Sequence, residues 1–247
     1  MKRMIAAVAA LLLLWWIAAL GVNRPFLPTP WLAFAEFGRG LADGTLPPHI
    51  LISLFRVTAA LIAAFIPAFV LGLAAGLRRR IDAVISPAAY VLFPIPKVAF
   101  LPVIMLFLGL GNLSKIFLVA LIVYFQFYLA VRDETARIDR RYFDSLFSLG
   151  GSRRDLLTHV VIPAVLPRVF SALRLSLGTA MAVLFLAETF ATRQGIGWYI
   201  LDCWTRLAYG RMYGGILALA AMGLLLFVLV DLAQRRFCRW ATESDPR

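Results

Sequence analysis

Asp144, Gly150 and Pro163 stand at fixed intervals in a polar, arginine-rich island of about 36 residues between two long apolar runs. Its residue types suit docking rather than bond chemistry: an acid, two adjacent glycines (Gly150, Gly151), a Ser152/Asp155 pair and exposed arginines such as Arg154. Three further charges, Arg56, Lys97 and Glu188, lie inside or at the edge of apolar runs, where an ionised group is costly and needs a reason to be there. Catalytic constellations are not found. The sequence has no Gly-x-x-x-x-Gly-Lys-Ser/Thr phosphate loop, no paired carboxylates and no Ser/His/Asp set with sensible spacing. His49 and His159 are far apart and flanked by apolar residues, so each reads as a local hydrogen-bonding group. Neither Cys203 nor Cys238 has a second ligand at metal spacing, and no metal site is expected. The expectation is a protein that is not an enzyme.

The elements that position these residues are membrane-grade. Of 247 residues, 62% are hydrophobic and 15% charged, whereas a soluble domain carries a far more charged surface. Apolar runs fall at about 4–22, 50–77, 84–109, 116–131, 164–191 and 212–233. Each is long enough to cross a bilayer with some tilt, so the fold expected is all-α, a polytopic membrane protein with about six spans. The first run reads as a retained anchor rather than a cleaved signal. The segment from Asn23 to His49, with five prolines, is too polar and too broken to span.

The net charge of +12 reads as topology rather than nucleic-acid binding, because the cations cluster at the ends of apolar runs. With the N-terminus inside, sixteen Lys and Arg fall on inner segments, among them Lys2, Arg3 and Arg247. Six fall on outer ones, Lys115 included. Both termini are therefore expected in the cytoplasm. That topology puts Cys203 and Cys238 on opposite sides of the membrane, and no internal disulfide is expected.

The third run is interrupted by Pro87, Pro94, Pro96 and Pro102, with Lys97 among them. Irregular backbone at membrane depth survives only against protein or a water-filled cavity. The segment is either a pathway-lining hinge or a re-entrant turn before a shorter span.

Within the island, Phe143, Leu146, Phe147 and Gly150 follow helical spacing and form an apolar stripe. Gly150-Gly151 ends that helix, and Ser152 with Asp155 forms a capping pair that starts a second one carrying Leu156, Leu157 and Val160. Pro163 is expected to open the fifth span, with Pro167 one turn in. The product is a helix–glycine turn–helix elbow over about 140–163, which either docks a partner or rests in the headgroups.

The spacing of Asp144, Gly150, Val160, Ile162 and Pro163 resembles the EAA loop of ABC-importer permease subunits. The head departs from that pattern, with Asp144-Ser145-Leu146 in place of Glu-Ala-Ala, so the fit to a partner's groove differs in detail. The resemblance continues in order along the chain and narrows to the nitrate/sulfonate/taurine-type permeases. Its other parts are Ser53-Leu54-Phe55-Arg56-Val57, Phe93-Pro94-Ile95-Pro96-Lys97, Gly109-Leu110-Gly111-Asn112-Leu113-Ser114-Lys115, and Ala187-Glu188 followed by Gly195-Ile196-Gly197.

That resemblance implies a type I ABC-importer (MetI-like) permease fold over about 50–240, after an anchor and outer loop at 1–49 and before a cytoplasmic tail at 241–247. It implies a multi-pass protein of the bacterial inner membrane that carries a small solute, such as a nitrate-, sulfonate- or taurine-like anion. The partners it implies are a cytoplasmic ABC ATPase subunit, an extracytoplasmic substrate-binding protein and a second copy of the permease. ATP and Mg would bind the ATPase, and this chain would hold no cofactor. Coupling would fall to Asp144, Ser145, Leu146, Gly150, Gly151, Arg154 and Pro163. Arg56, Lys97 and Glu188 either flank the substrate route or serve as structural ion pairs and snorkelling cations. A secondary transporter or channel without an ATPase is the alternative for broken helices and intramembrane charges.

Overall fold

The computed structural model describes residues 2–242, with side chains over 6–240. The expected inner-face charges Lys2, Arg3 and Arg247, and the tail from residue 243 onward, lie outside these side chains. Among the described residues the chain is helical, with no strand.

Helix α1 is Lys2–Val22 and α2 is Pro30–Ala42. At 13 residues α2 is too short to span, in line with the reading of the 23–49 segment. Pro30 opens it, where a missing N–H costs nothing. Then follow α3 (Pro47–Leu77), α4 (Arg79–Leu92), a 3-10 turn (Lys97–Phe100), α5 (Leu101–Leu108) and α6 (Asn112–Ala136). The elbow consists of α7 (Arg140–Ser148) and α8 (Arg153–Asp155). A π-helical stretch, Leu156–Val161, leads into α9 (Ile162–Thr189), and α10 (Ile196–Thr205), α11 (Tyr209–Phe237) and α12 (Arg239–Thr242) follow.

Among the described residues four helices are long and apolar enough to cross a membrane: Pro47–Leu77, Asn112–Ala136, Arg153–Thr189 and Tyr209–Phe237. The third expected span is not one straight helix. Arg79–Leu92 and Lys97–Leu108 meet at an 83° bend, and as a broken pair they count as a fifth. Pro94 and Pro96 fall at the break and deny it backbone donors. The apolar stretch Ala6–Val22 of α1 is shorter than these spans.

Pro163 does not open the fifth span, as the sequence led us to expect. The helix runs unbroken through it, from Arg153 to Thr189. The N–H of Ile162 bonds the carbonyl of Leu157, five residues back, so the turn before the proline is widened. That wider turn accommodates a residue that has no N–H to donate and whose ring crowds the preceding turn.

The helices fall into two compact units. One comprises the residues through Phe55 together with Leu184–Met222. Its core is Leu46, Ile196, Ile200 and Ala218, packed by Phe37, Ile50 and Phe185. In the same unit the Trp15 indole N–H donates to the Pro28 carbonyl at 3.0 Å, and its ring stacks on Tyr213.

The other unit comprises Arg56–Val183 and the residues from Gly223 onward. Its core sets Val131 of α6 and Val161, Val165 and Val169 against Phe65, Phe69 and Leu73 of α3. Here α3 and α6 meet through glycine. A Cβ at Gly72 would sit 2.9 Å from the Val131 side chain, and one at Gly76 would sit 2.5 Å from Thr135. The Gly72-xxx-Gly76 spacing brings the two backbones close, a common packing device between membrane helices. In the same unit Arg132 holds both oxygens of Asp82 (2.6 and 2.5 Å), and Ser86 links Asp82 to the Tyr128 hydroxyl. These bonds lock α4 to α6.

Candidate functional site

The elbow is built by caps. Asp139 starts α7 by accepting the Arg141 N–H at 2.9 Å. At the other end the Gly151 N–H reaches the Leu146 carbonyl and the Gly150 N–H the Phe147 carbonyl, both at 3.0 Å. That pair of hydrogen bonds, with Gly150 at φ +80°, closes the helix in a left-handed turn. The two glycines serve different ends. A Cβ on Gly150 would meet nothing within 4 Å, so its backbone angle alone requires glycine. A Cβ on Gly151 would lie 2.6 Å from the Leu146 side chain, so there the space requires it. Ser152 and Asp155 then form the expected capping box: the Asp155 carboxylate accepts the Ser152 N–H at 2.9 Å and its hydroxyl at 2.6 Å.

None of α7 is buried. Asp144, Ser145, Phe147, Gly150 and Arg154 are exposed, Leu146 is half-buried, and Leu149 is 88% exposed. An apolar tip flanked by Arg140, Arg141, Arg153 and Arg154 is a surface suited to a protein partner. The inner side of the elbow is held. Phe143 and Leu156 pack against the Val131–Val161–Val165–Val169 cluster, together with Leu77 of α3 and Ile138. The elbow is thereby joined to three spans, and Pro163 lies just beyond it in α9.

A second constellation surrounds Glu188, which is fully buried. The Ser53 hydroxyl donates to its carboxylate, 2.8 Å from either oxygen, and accepts the Ile196 N–H at 2.9 Å. The Gly197 N–H donates to the same carboxylate at 3.0 Å. Glycine is required on both sides: a Cβ at Gly195 would overlap the Glu188 carboxylate, and one at Gly197 would lie 2.5 Å from the Phe185 carbonyl. Gly195 also adopts φ +114°. His49 Nδ1 accepts the Gly195 N–H at 3.2 Å, so this histidine is a hydrogen-bonding group, but its partner lies 146 residues away and is not local. His159 does bond locally, to Thr158 and the Asp155 carbonyl.

Arg56 is 2% exposed, and its Nε donates to Asn112 at 2.9 Å. Lys97 is also buried. Its ammonium turns back onto the Leu92 and Phe93 carbonyls (2.7 and 3.0 Å) and lies 4.5 Å from the Phe125 ring centroid. Neither cation extends away from the protein in the manner of a snorkelling side chain. Lys97 neutralises the carbonyl end of α4 at the bend, a favourable place for a cation. Lys115, expected on the outer face, is fully buried and donates to the Leu110 carbonyl at 2.7 Å. Among the described residues no cluster of His, Cys, Asp and Glu is arranged to hold a metal ion.

Sequence reasoning missed the Gly72-xxx-Gly76 contact, although its four-residue spacing is itself a signal. It also missed Ser53 as the partner of Glu188; the motif was noted, but 135 residues separate the two.

Comparison with known proteins fits this geometry. Over 246 residues the chain is 30% identical to the taurine transport system permease protein TauC of Escherichia coli (strain K12), covering 97% of this chain and 90% of that one. It is 28% identical to the putative aliphatic sulfonates transport permease protein SsuC of Bacillus subtilis (strain 168), covering 93% and 83%. It is 29% identical to the SsuC of Escherichia coli (strain K12), covering 89% and 83%. Residues 68–242 match the family described as binding-protein-dependent transport system inner membrane component. An all-α, multi-pass chain whose family-matched region holds the capped elbow is thus placed by descent as well as by form: it belongs to that family, the membrane permease subunits of ATP-driven importers.

Proposed function

We propose that this permease couples to its cytoplasmic ATPase through the elbow at 140–163 and carries a small organic sulfonate or a similar anion inward. The observation that carries the reading is the elbow's two-sidedness. Leu149, Phe147, Asp144 and Arg154 face outward, while Phe143 and Leu156 are packed into the span cluster. A partner gripping the outer side moves the spans through the inner side. ATP and Mg bind the ATPase, and this chain supplies the docking surface: Asp144, Ser145, Leu146, Gly150, Gly151 and Arg154, with Pro163 inside the helix that continues into the moving span.

Two copies of the chain form the pathway, with both termini in the cytoplasm, and a substrate-binding protein delivers the solute from outside. The anionic substrate is supported by the names of the relatives, taurine and aliphatic sulfonates, and by the buried cations Arg56 and Lys97. In this reading Arg56 and Glu188 flank the route.

The test is cross-linking in the assembled complex. A cysteine at Asp144 (D144C) should join to cysteines along the docking cleft of the ATPase, with a yield that changes when ATP is added. Labelling of D144C from the extracytoplasmic side would overturn the reading.

A further inference from the structure

One cleft has a chemistry that coupling and transport leave unused. In the unit built on Arg56–Val183, Leu61 and Ile62 of α3, Leu173 and Leu177 of α9, and Leu226 and Ala233 of α11 wall an apolar cleft of about 300 Å³. From Leu226 to Ala233 the α11 wall rises about 10 Å at the helical pitch. That is most of the ~15 Å of hydrocarbon in one leaflet.

The end of the cleft toward the α11 C-terminus is basic and aromatic. Arg236 follows Ala233 by three residues, on the same helix face, and is exposed. Phe237 stacks on Phe170 with ring centroids 6.5 Å apart, and Trp240 is half-exposed just beyond. Asp231 is shared by Arg174 at 3.3 Å and Arg235 at 2.8 Å. One carboxylate thus faces two arginines, while Arg236 and Arg239 add further positive charge within the next two turns. An apolar trough that ends in cations and interfacial aromatics complements a single acyl chain beneath an anionic headgroup.

We propose that this cleft seats an acyl chain of an anionic phospholipid of the cytoplasmic leaflet, with the lipid phosphate held by Arg236. The leaflet assignment rests on the cytoplasmic C-terminus of the function proposed above. The lipid class rests on the cleft and its charges alone.

The experiment is native mass spectrometry of the assembled permease–ATPase complex, taken from bilayers of phosphatidylglycerol and phosphatidylcholine in equal amounts. The intact complex should retain phosphatidylglycerol in preference. Arg236→Ala should lower that preference about fivefold, the effect expected of one interfacial cation. Ala233→Trp should lower retention of both lipids by filling the trough. Arg193→Ala, which removes an exposed arginine in the other unit, should change neither.

Equal retention of the two lipids by the intact complex would overturn the proposal. So would an unchanged preference in Arg236→Ala, or a cross-link between two permease copies through Leu229→Cys, which would put a protein in the cleft. Labelling of Arg236→Cys from outside the cell would overturn the leaflet assignment. ATP-driven uptake by the same preparations is read separately. Loss of uptake by the unaltered complex with lipid preference intact would count against the coupling reading and leave the lipid site standing.

Discussion

The Ser53 hydroxyl lies 2.8 Å from both carboxylate oxygens of Glu188, a residue 135 positions further along the chain, and also accepts the Ile196 N–H. Ser53 is therefore a relay between an acid and a backbone amide, all of it shut away from water. Replacing it with alanine leaves the Ile196 N–H without this acceptor and takes one donor from a buried carboxylate. Each orphaned group costs about 1–3 kcal/mol. Ser53→Ala should lower the melting temperature of the purified permease clearly, while Ser53→Thr, which keeps the hydroxyl, should lower it less. A Ser53→Ala protein that melts with the unaltered one would show that the relay contributes nothing to the fold.

Gly195 and Gly197 should tolerate no side chain. Gly195→Ala places a methyl on the Glu188 carboxylate at a backbone angle of +114°, and Gly197→Ala presses on the Phe185 carbonyl. Gly178→Ala, where a Cβ meets nothing within 4 Å, is the control. Yields of folded protein after detergent extraction should fall for the first two and hold for the third.

At the elbow the two glycines should respond to different substitutions. Gly150→Asn should keep much of the ATP-driven uptake, since asparagine takes the left-handed conformation more readily than other side chains. Gly150→Leu should insert in the membrane yet lose uptake. Gly151→Ala should lose uptake through its clash with Leu146, despite being the smaller change. Uptake into proteoliposomes, scaled to inserted protein, measures all three.

Bulk at Gly76 should separate α3 from α6. Gly76→Leu forces a side chain into a space already held by Thr135 and the Arg132 carbonyl. Overpacking of this kind costs about 1–3 kcal/mol or more. The measurable result is a less stable protein that is cut more readily by protease, and normal stability would argue against close packing at this crossing.

Both cysteines should resist thiol reagents in the folded protein. Cys203 and Cys238 are buried, and burial pushes both thiols above their ordinary range. The thiolate is the reactive form, so less of it is present at neutral pH and labelling should accelerate only in more alkaline solution. Maleimide labelling at rising pH, with and without denaturant, checks this. Fast labelling of native protein at pH 7 would refute it.

The parts legible in the sequence are those set by local chemistry. Gly150-Gly151 and the Ser152/Asp155 pair specify their own turn and cap within a few residues, and the elbow emerges as read. The break at Pro94 and Pro96 is equally local. Pro163 misled because a widened turn ahead of it absorbs the missing donor, and that accommodation depends on the whole helix. The burial of Lys115 was not legible, because its long stem folds the ammonium back onto the Leu110 and Gly111 carbonyls. The Ser53–Glu188 bond was out of reach because nothing local to either residue names its partner.

The helix that starts in the Ser152 capping box continues for 37 residues, to Thr189. At 1.5 Å per residue it measures about 55 Å, well beyond the ~30 Å of hydrocarbon it must cross. The excess over the hydrocarbon thickness calls for tilt or for an end that projects beyond it, and the far end carries Glu188. No loop separates the cap from that acid, and the main-chain ladder between them lacks donors only where Pro163 and Pro167 stand.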